Sequence, residues 1–195
     1  MIVALFDRVA LERMGFATLG ENVFISDRAS IYNCANISLG NNVRIDDFCV
    51  LSAGEGGINI GNYVHIAVYS SLIGVGKITL SDFCNISSRV AIYSSSDDFS
   101  GNWMTNPMVS SEYTNVVHAD VSIGRHAIIG TGSVVLPDVI IEDGVAVGAL
   151  SLVKKRCETF GVYVGTPARK VAERNQDLLQ LEHEFLLNQY INKNK

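Results

Sequence analysis

The chain has 195 residues, which is enough for one domain with a substantial hydrophobic core. Hydrophobic residues make up 48% of it and charged residues 18%, and the formal net charge is −5, a soluble globular composition without the basic balance of nucleic-acid-binding proteins. No apolar run has the length of a membrane span, and the N-terminal stretch has early acidic residues and no small-residue cleavage site, which argues against a signal peptide.

Residues 1–18 are predicted to cap the domain that follows. Within them the segment FDRVALERMGF is compatible with about two turns of amphipathic helix. Such a helix covers the first layer of whatever core begins at residue 19.

From residue 19 onward, aliphatic residues recur every six positions. They form six triplets, which are Leu19, Ile25 and Ile31; Leu39, Ile45 and Leu51; Ile60, Ile66 and Leu72; Leu80, Ile86 and Ile92; Ile123, Ile129 and Val135; and Ile141, Val147 and Val153. A single hexad also fits an ordinary strand, because six is a multiple of the strand period, but a long in-phase series does not. We therefore predict an all-β, left-handed parallel β-helix over residues 19–168, in which three hexads make one coil and the aliphatic residues stack inside.

One long segment, residues 93–120, interrupts this repeat. All departures from the period follow the third hexad of a coil, so the loops are predicted to leave from one corner of the helix. Long irregular insertions in compact domains are usually functional or disordered. This one contains carboxylates and amides suited to sugar hydroxyls and an aromatic suited to a sugar ring, and the predicted substrate-binding residues are Asp97, Asp98, Asn102, Trp103 and Asn106. Adjacent aspartates also form turns and helix caps, and that alternative stays open.

The C-terminal segment, residues 169–195, is predicted to be a helix and a solvated tail. The helix is expected from about residue 169 to 191, because its apolar residues share one helical face, namely Leu178, Leu181, Phe185, Leu186 and Tyr190. Such a helix packs on one face of the domain or caps the subunit.

Cysteines and histidines give no metal motif. The four cysteines form no CxxC pair, and a reducing, cytoplasmic setting is expected, with Cys49 and Cys84 as buried thiols. His126 and His183 are predicted to be surface residues. His118 ends the long loop and is either functional or an ordinary loop residue.

His65 is the most informative histidine. The repeat places Arg44 one coil below it and Asn85 one coil above, which predicts a polar ladder on a corner that differs from the loop corner. His65 is either a solvated or bonded histidine at a bend or a general base active near neutral pH. Asn85 is accordingly added to the substrate-binding candidates.

The hexads, the insertion after the fourth coil and the closing GTPARKV resemble the hexapeptide-repeat acyltransferases, in particular galactoside and xenobiotic acetyltransferases and sugar O-acetyltransferases of polysaccharide gene clusters. The resemblance implies a homotrimer with active sites between subunits, acetyl-CoA as donor along the C-terminal coils, and no metal. It matches Thr131, Ala149 and Ser151 to small residues beside the pantetheine. It matches Lys154, Lys155 and Arg169 to the cations that bind the CoA phosphates, where charge-assisted contacts are needed.

The sequence departs from that family at its catalytic histidine. The position at which galactoside acetyltransferases carry this residue is Asp97 here, and no histidine occurs from 66 to 117. His65 stands where that branch has a tyrosine across the subunit interface. We hypothesise that His65 of one subunit is the base and that Asp97 of the next orients it, while Asp97 or His118 as the base remains open.

The function expected from this resemblance is transfer of an acetyl group from acetyl-CoA to a sugar hydroxyl, in surface polysaccharide synthesis. The alternatives are N-acetylation of a nucleotide-linked amino sugar, acetylation of a serine-type acceptor, and a non-catalytic β-helix scaffold. A carbonic anhydrase of the same fold is disfavoured, because the required histidine spacing is absent.

Overall fold

The computed structural model describes residues 4–193 and shows the predicted left-handed parallel β-helix. Short strands follow one another around the coils in chain order. The first four coils are β1 (Thr18–Leu19), β2 (Phe24–Ile25), β3 (Ser30–Tyr32); β4 (Ile37–Leu39), β5 (Arg44–Ile45), β6 (Val50–Ala53); β7 (Ile58–Ile60), β8 (His65–Ile66), β9 (Ser71–Gly74); and β10 (Ile78–Leu80), β11 (Asn85–Ile86), β12 (Ala91–Tyr93).

The long loop and the last coils complete the chain. The remaining strands are β13 (Ser95–Ser96) and β14 (Val117–His118) in the loop; β15 (Val121–Ile123), β16 (Ile128–Ile129), β17 (Val134–Val135); β18 (Ile140–Ile141), β19 (Ala146–Val147), β20 (Leu152–Val153); and β21 (Gly161–Val164) and β22 (Arg169–Glu173). The helices are α1 (Arg8–Arg13), α2 (Leu178–Lys193) and the short 3₁₀ turns Cys34–Asn36 and Ser111–Tyr113. Neither α1 nor α2 is long and apolar enough for a membrane span, and this holds for the whole described part of the chain.

The strands stack into three parallel sheets, which are the faces of the helix. The first face begins with β1 and ends with β18, the second begins with β2 and ends with β22, and the third begins with β3 and ends with β20. The register pairs each aliphatic residue with its equivalent one coil away, as in Ile45 with Ile66 and Ile66 with Ile86. The six-residue period therefore predicted both the strand positions and their register.

The core is the column of aliphatic side chains inside the coils. Ile25, Ile45, Ile66, Ile86 and Ile129 are fully buried. Cys49 and Cys84, which were predicted to be buried thiols, are buried beside these residues. Burial raises the pKa of Cys49 to about 11 and the pKa of Cys84 to about 12. Leu11 of α1 closes the N-terminal end of the column, and the N-cap residue of α1, Asp7, accepts a hydrogen bond of 2.7 Å from the Ala10 N–H.

The bend between the first and second faces uses residues in the left-handed conformation. Asn22, Asn42, Tyr63, Phe83 and His126 occupy this bend, one per coil, with φ between 55° and 60°. Aromatic residues adopt this conformation rarely. Stacking offsets the strain, since the rings of Tyr63 and Phe83 are 4.8 Å apart and those of Phe83 and His126 are 5.0 Å apart. We call this ladder the aromatic bend.

The predicted start of the C-terminal helix at residue 169 is wrong. Arg169–Glu173 forms strand β22, which pairs antiparallel with β21, and the helix begins only at Leu178. The turn at GTPA reverses the chain, so β22 covers the edge that the last coil would otherwise leave open. Residues 194–195 of the predicted tail and residues 1–3 of the predicted cap lie outside the described residues.

Helix α2 packs on the aromatic bend. Phe185 lies edge-on to Tyr63 at a centroid distance of 5.3 Å, and Glu182 forms an ion pair with Arg125 and a hydrogen bond with His126. The prediction of a surface His126 is therefore wrong, because its side chain is 13% exposed and its Nε2 lies 2.6 Å from Glu182 Oε2. No periodicity within the hexads predicts this contact, because it is made to a helix 56 residues later.

Replacing a residue of the aliphatic column should destabilise the whole helix. Ile66→Ala leaves a cavity between fully packed coils, and we expect the free energy of unfolding to fall by about 2–5 kcal/mol. Denaturant titration followed by circular dichroism measures it. Thr79→Ala, at a partly buried outward position of the next coil, is the matched control, and equal losses in both variants would contradict the assigned core.

The last coils are held together by Glu142, which should make stability depend on pH. Its carboxylate accepts hydrogen bonds from the Thr159 hydroxyl at 2.5 Å, from the Thr159 N–H at 2.9 Å and from Arg156, and these bonds lower the pKa of Glu142 to about 2. Because the pKa in the unfolded chain is higher, this stabilisation is complete above pH ~4.5 and is lost as the pH falls towards 2.

Glu142→Gln should therefore lower the thermal midpoint at neutral pH, and its difference from the unmodified protein should shrink as the pH approaches 2. Scanning calorimetry across this range measures both values. Glu55→Gln, at an exposed loop position, is the control. A Glu142→Gln deficit that is the same at every pH would refute the role of the ionised carboxylate.

Candidate active site

The long loop is closed at its base by a small antiparallel ladder. Strands β13 and β14 pair Ser95 with His118 and Ser96 with Val117. The loop leaves after the third face, at the corner where the loops at 54–57 and 74–77 also emerge, as the repeat predicted. At Gly54 an added Cβ would meet Val75 Cα at 2.5 Å, so these smaller loops stack without room for a side chain there.

A cavity of about 620 Å³ lies between the long loop and this corner. We call it the loop cavity. Its lining consists of Asn33, Ser52, Ala53, Gly54, Ile73, Gly74, Val75, Ser95, Ser96, Asp97, Asn106, Pro107, Val109, Ser111, Thr114, Val116 and His118. The structure thus brings together the predicted residues Asp97 and Asn106 and adds His118, whose role the sequence left open.

His118 is held by Ser95. The distance from Ser95 Oγ to His118 Nδ1 is 2.7 Å, and Ser95 Oγ also accepts the Val75 N–H at 2.8 Å. One ring nitrogen of His118 is therefore engaged within the protein, and Nε2 is the nitrogen left for a ligand. The sequence signal for this pair was weak, because the two residues are 23 positions apart across the loop.

The other loop candidates lie outside the lining of the loop cavity. Asp98 forms a turn, since its Oδ1 accepts the Ser100 hydroxyl at 2.5 Å and the Ser100 N–H at 2.8 Å, and these hydrogen bonds lower the pKa of Asp98. The geometry therefore supports the turn-forming alternative for Asp98. Asn102 and Trp103 are exposed on the loop, and their contact with a substrate remains a prediction.

The polar ladder on the second face is present as predicted, with Arg44, His65 and Asn85 in register. His65 Nε2 lies 2.8 Å from Asp46 Oδ2, and Arg44 Nε lies 2.7 Å from Asp46 Oδ1. Burial by itself raises the pKa of Asp46. The hydrogen bonds from Arg44 and His65 lower that pKa, and the net result is a pKa below the ordinary value.

Within one chain, then, the carboxylate partner of His65 is Asp46 and not Asp97. The sequence reasoning missed Asp46, although it is one of the acidic residues that directly follow an aliphatic position of the repeat. The pairing of His65 with Asp97 of a neighbouring subunit, and the contact of Asn85 with a substrate, stay predictions.

A second cavity, of about 280 Å³, lies at the C-terminal coils and is lined by five cations. We call it the basic cavity. Its lining consists of Val153, Lys154, Lys155, Arg156, Cys157, Tyr163, Ala168, Arg169 and Lys170. The structure thus brings together the predicted phosphate-binding residues Lys154, Lys155 and Arg169, although Arg169 lies on β22 and not on a helix.

The cations of the basic cavity differ in their partners. Arg156 is paired with Glu142 and Lys170 with Glu173. Within residues 4–193, by contrast, Lys154, Lys155 and Arg169 have no carboxylate within ion-pair distance. Three uncompensated cations around one cavity favour an anionic ligand, and phosphate is the anion that such clusters bind well.

The small residues that were predicted to lie beside the pantetheine of CoA differ in their exposure. Thr131 and Ala149 are exposed on successive coils, and the Leu150 N–H donates to the Thr131 carbonyl at 2.9 Å. Ser151 differs from the expectation, because it is 2% exposed and its hydroxyl donates to the Gly148 carbonyl at 2.7 Å. Its side chain points into the coil and leaves no surface for the pantetheine. Across the described chain, no three His, Cys, Asp or Glu side chains are grouped so that they could hold a metal ion.

Comparison with known proteins places this geometry in a family. The model of the bacterial transferase hexapeptide family (six repeats) matches residues 115–155. The chain is also 62% identical to dTDP-4-amino-4,6-dideoxy-D-glucose acyltransferase of Escherichia coli over 183 residues, which cover 94% of this chain and 95% of that protein.

A solved structure shows the same fold with ligands. AntD, an N-acyltransferase from Bacillus cereus, in complex with dTDP and 3-hydroxybutyryl-CoA, has a TM-score of 0.93 and 45% identity, and the match covers 97% of this chain and 100% of AntD. Solved AntD variants replace one aspartate by alanine or asparagine and one serine, ten residues earlier, by alanine, cysteine or threonine.

A more distant relative is named as an O-acetyl transferase. WbbJ of Escherichia coli strain K12, which is described as an O-acetyl transferase of lipopolysaccharide biosynthesis, is 29% identical over 165 residues, covering 79% of this chain and 77% of WbbJ.

Proposed function

The chain belongs to the hexapeptide-repeat transferase family, and from that premise we propose that it transfers an acyl group from an acyl-CoA to the amine of a nucleotide-linked amino sugar. The observation that carries this proposal is the 62% identity, over nearly the full length of both chains, to an enzyme named for acylating dTDP-4-amino-4,6-dideoxy-D-glucose. We assign one of the two cavities to each half of the reaction, and the charges of their linings support this assignment.

The donor half is assigned to the basic cavity and the coil surface beside it. Coenzyme A carries three phosphate groups, and Lys154, Lys155 and Arg169 are the cations of the basic cavity that have no ion-pair partner among the described residues. Thr131 and Ala149 present small side chains on the exposed coil, where an extended pantetheine can approach the backbone. The binding of CoA and of 3-hydroxybutyryl-CoA by AntD supports this assignment.

The acceptor half is assigned to the loop cavity, with Asp97 beside the reacting amine. The carboxylate attracts a sugar ammonium group and can accept a proton that the nitrogen must lose. Asp97 takes one proton from the ammonium, the neutral amine attacks the thioester carbonyl to form the C–N bond, and the C–S bond breaks. The second proton that the nitrogen loses passes to the sulfur, so that CoA leaves as the thiol.

The AntD variants favour Asp97 as the carboxylate that acts. Their serine and aspartate are ten residues apart, and in the stretch that leads into the long loop the pairs with this spacing are Ser87 with Asp97 and Ser88 with Asp98. Of the two aspartates, only Asp97 lines the loop cavity, while Asp98 is engaged by Ser100. His65, with Asp46 as its partner, is the second candidate for proton transfer and would act from a neighbouring subunit of a homotrimer.

Transfer to a hydroxyl, the reaction first expected from the sequence, has weaker support. The relative associated with O-acetylation is 29% identical, against 62% for the amino-sugar acyltransferase. A carboxylate in the acceptor cavity also fits an amine, which is cationic in solution, better than a neutral hydroxyl.

Release of free thiol from acyl-CoA tests the proposed function. Acetyl-CoA and 3-hydroxybutyryl-CoA are each mixed with dTDP-4-amino-4,6-dideoxyglucose and the protein, and the thiol is measured with a colorimetric reagent. We expect release that depends on the amino sugar. No release with either donor, together with no binding of CoA by calorimetry, would favour a non-catalytic scaffold instead.

A further inference from the structure

The loop cavity has an unusual charge composition for a site that receives a nucleotide-linked sugar. Its lining contains one carboxylate, Asp97, and one imidazole, His118, and it contains no lysine or arginine. A diphosphate is bound best by cations and charge-assisted donors. This cavity therefore suits the amino sugar ring, and the diphosphate has to lie outside its lining.

The remaining lining fits a sugar with one apolar side. Ile73, Val75, Val109 and Val116 give the cavity an apolar part, while His118 and Asp97 lie among its polar residues. Sugar sites commonly combine apolar walls with a few placed polar groups that fix the orientation of the ligand. Several polar side chains of the lining are held by hydrogen bonds, since Asn33 donates to the Ala53 carbonyl and Asn106 accepts the Met108 N–H. Among them His118 is the imidazole, which keeps a second ring nitrogen for a ring hydroxyl after Ser95 has engaged the first.

Ser95 sets the position of His118 through two contacts. The Val75 N–H holds Ser95 Oγ at 2.8 Å, and Ser95 Oγ holds His118 Nδ1 at 2.7 Å. The ladder between β13 and β14 also places Ser95 and His118 directly opposite each other. An imidazole fixed at Nδ1 presents Nε2 in one defined direction, as second-residue contacts do in many binding sites.

We propose that His118 is a specificity-determining residue of the acceptor site, whose Nε2 forms a hydrogen bond with a ring hydroxyl next to the amine of the sugar, and that Ser95 positions it. This proposal rests on the proposed function, because it assigns a contact to the amino sugar that function requires. His118 fixes the sugar so that the amine faces Asp97 and the thioester. It takes no proton from the amine.

Two substitutions of His118 distinguish the roles of its two ring nitrogens. In His118→Asn the amide nitrogen occupies the place of Nδ1, so the contact with Ser95 can persist while the Nε2 contact is lost. In His118→Gln the amide nitrogen reaches the place of Nε2. His183→Asn, on the exposed surface of α2, is the matched control.

The experiment measures kcat and KM for the amino sugar and for acyl-CoA in each variant, after thermal melting has shown that the variants are folded. We expect His118→Asn to raise the acceptor KM by roughly tenfold, the usual effect of losing one hydrogen bond, with the donor KM and the pH dependence of kcat unchanged. His118→Gln should restore most of the loss, and His183→Asn should match the unmodified protein. Ser95→Ala should raise the acceptor KM by less than His118→Asn does.

A second acceptor that lacks the ring hydroxyl beside the amine gives an independent readout. The unmodified protein should bind it more weakly, and His118→Asn should cause no further loss with it, since the partner of Nε2 is already missing. Equal losses by His118→Asn with both acceptors would overturn the proposal. A fall in kcat with an altered pH profile would overturn it as well, because it would make His118 the base.

Failure of the proposed function is recognised separately. If the unmodified protein does not acylate the amino sugar at all, the proposed function is wrong and the role of His118 falls with it. If the unmodified protein is active and His118→Asn retains its acceptor KM, only the proposal for His118 is wrong.

Discussion

Asp97→Asn should lower kcat for acyl transfer by about 10²–10⁴-fold, the range by which a positioned acid–base group accelerates a reaction. The substitution keeps the size of the side chain and removes its charge and its capacity to take a proton. Asp97 lines the loop cavity together with Asn106 and His118, so loss of the carboxylate acts in the cavity that we propose for the acceptor. Steady-state kinetics with saturating acyl-CoA and amino sugar measure the effect.

The control is Glu112→Gln, which makes the same chemical change at an exposed position of the same loop and should leave kcat unchanged. His65→Ala, measured alone and combined with Asp97→Asn, tests the alternative base. If His65 and Asp97 act together across a subunit interface, the double variant should lose little more than either single one. Full turnover by Asp97→Asn would remove Asp97 from the chemistry, and full turnover by His65→Ala would remove His65.

Removing the cations of the basic cavity should weaken the binding of acyl-CoA and leave the binding of the amino sugar unchanged. Lys154→Ala and Lys155→Ala are each expected to raise the KM for acyl-CoA by about tenfold, because each loses a charge-assisted contact with phosphate at a partly screened surface. The acceptor KM should not change, because neither lysine lines the loop cavity. Arg13→Ala, a loss of one exposed charge on α1, is the control.

A donor made from 3′-dephospho-CoA identifies the group that these lysines bind. If the lysines bind the 3′-phosphate, the KM of the unmodified protein for this donor should be higher than its KM for normal acyl-CoA by about the same factor as in the lysine variants. The lysine variants should show no further rise in KM with this donor. An unchanged KM for normal acyl-CoA in both lysine variants would show that the basic cavity is not the donor site.

The sequence predicted the fold almost entirely because a β-helix repeats one local rule. Each coil has to bury one aliphatic residue per face, so the positions of Ile45, Ile66 and Ile86 appear directly in the six-residue period. The loop corner followed from the same period, whereas the cap helix α1 was predicted from the amphipathic pattern of residues 6–16, which precede the repeat. The C-terminal hairpin did not, because strand β22 is determined by the open edge it covers and not by any pattern of its own.

The site was predicted less completely, because its contacts join residues that no repeat relates. The Ser95–His118 pair spans the long loop, and His126 meets Glu182 only after α2 has folded back onto the aromatic bend. Asp46 was visible as an acidic residue after Ile45, yet its bond to His65 depends on the offset between coils. Lys154 and Lys155 were named as candidates because the family resemblance matches them to cations that bind the CoA phosphates, and that role stays a prediction.

The nature of the bond formed in the product tests the central claim most directly. The protein is given acyl-CoA and an equimolar mixture of dTDP-4-amino-4,6-dideoxyglucose and the matching sugar with a hydroxyl in place of the amine. The products are then weighed by mass spectrometry before and after mild alkaline treatment, which cleaves esters and leaves amides. We predict that only the amino sugar gains the acyl mass and that alkali does not remove it; acylation of the hydroxyl sugar to an alkali-labile product, with the amino sugar unchanged, would contradict N-acyl transfer.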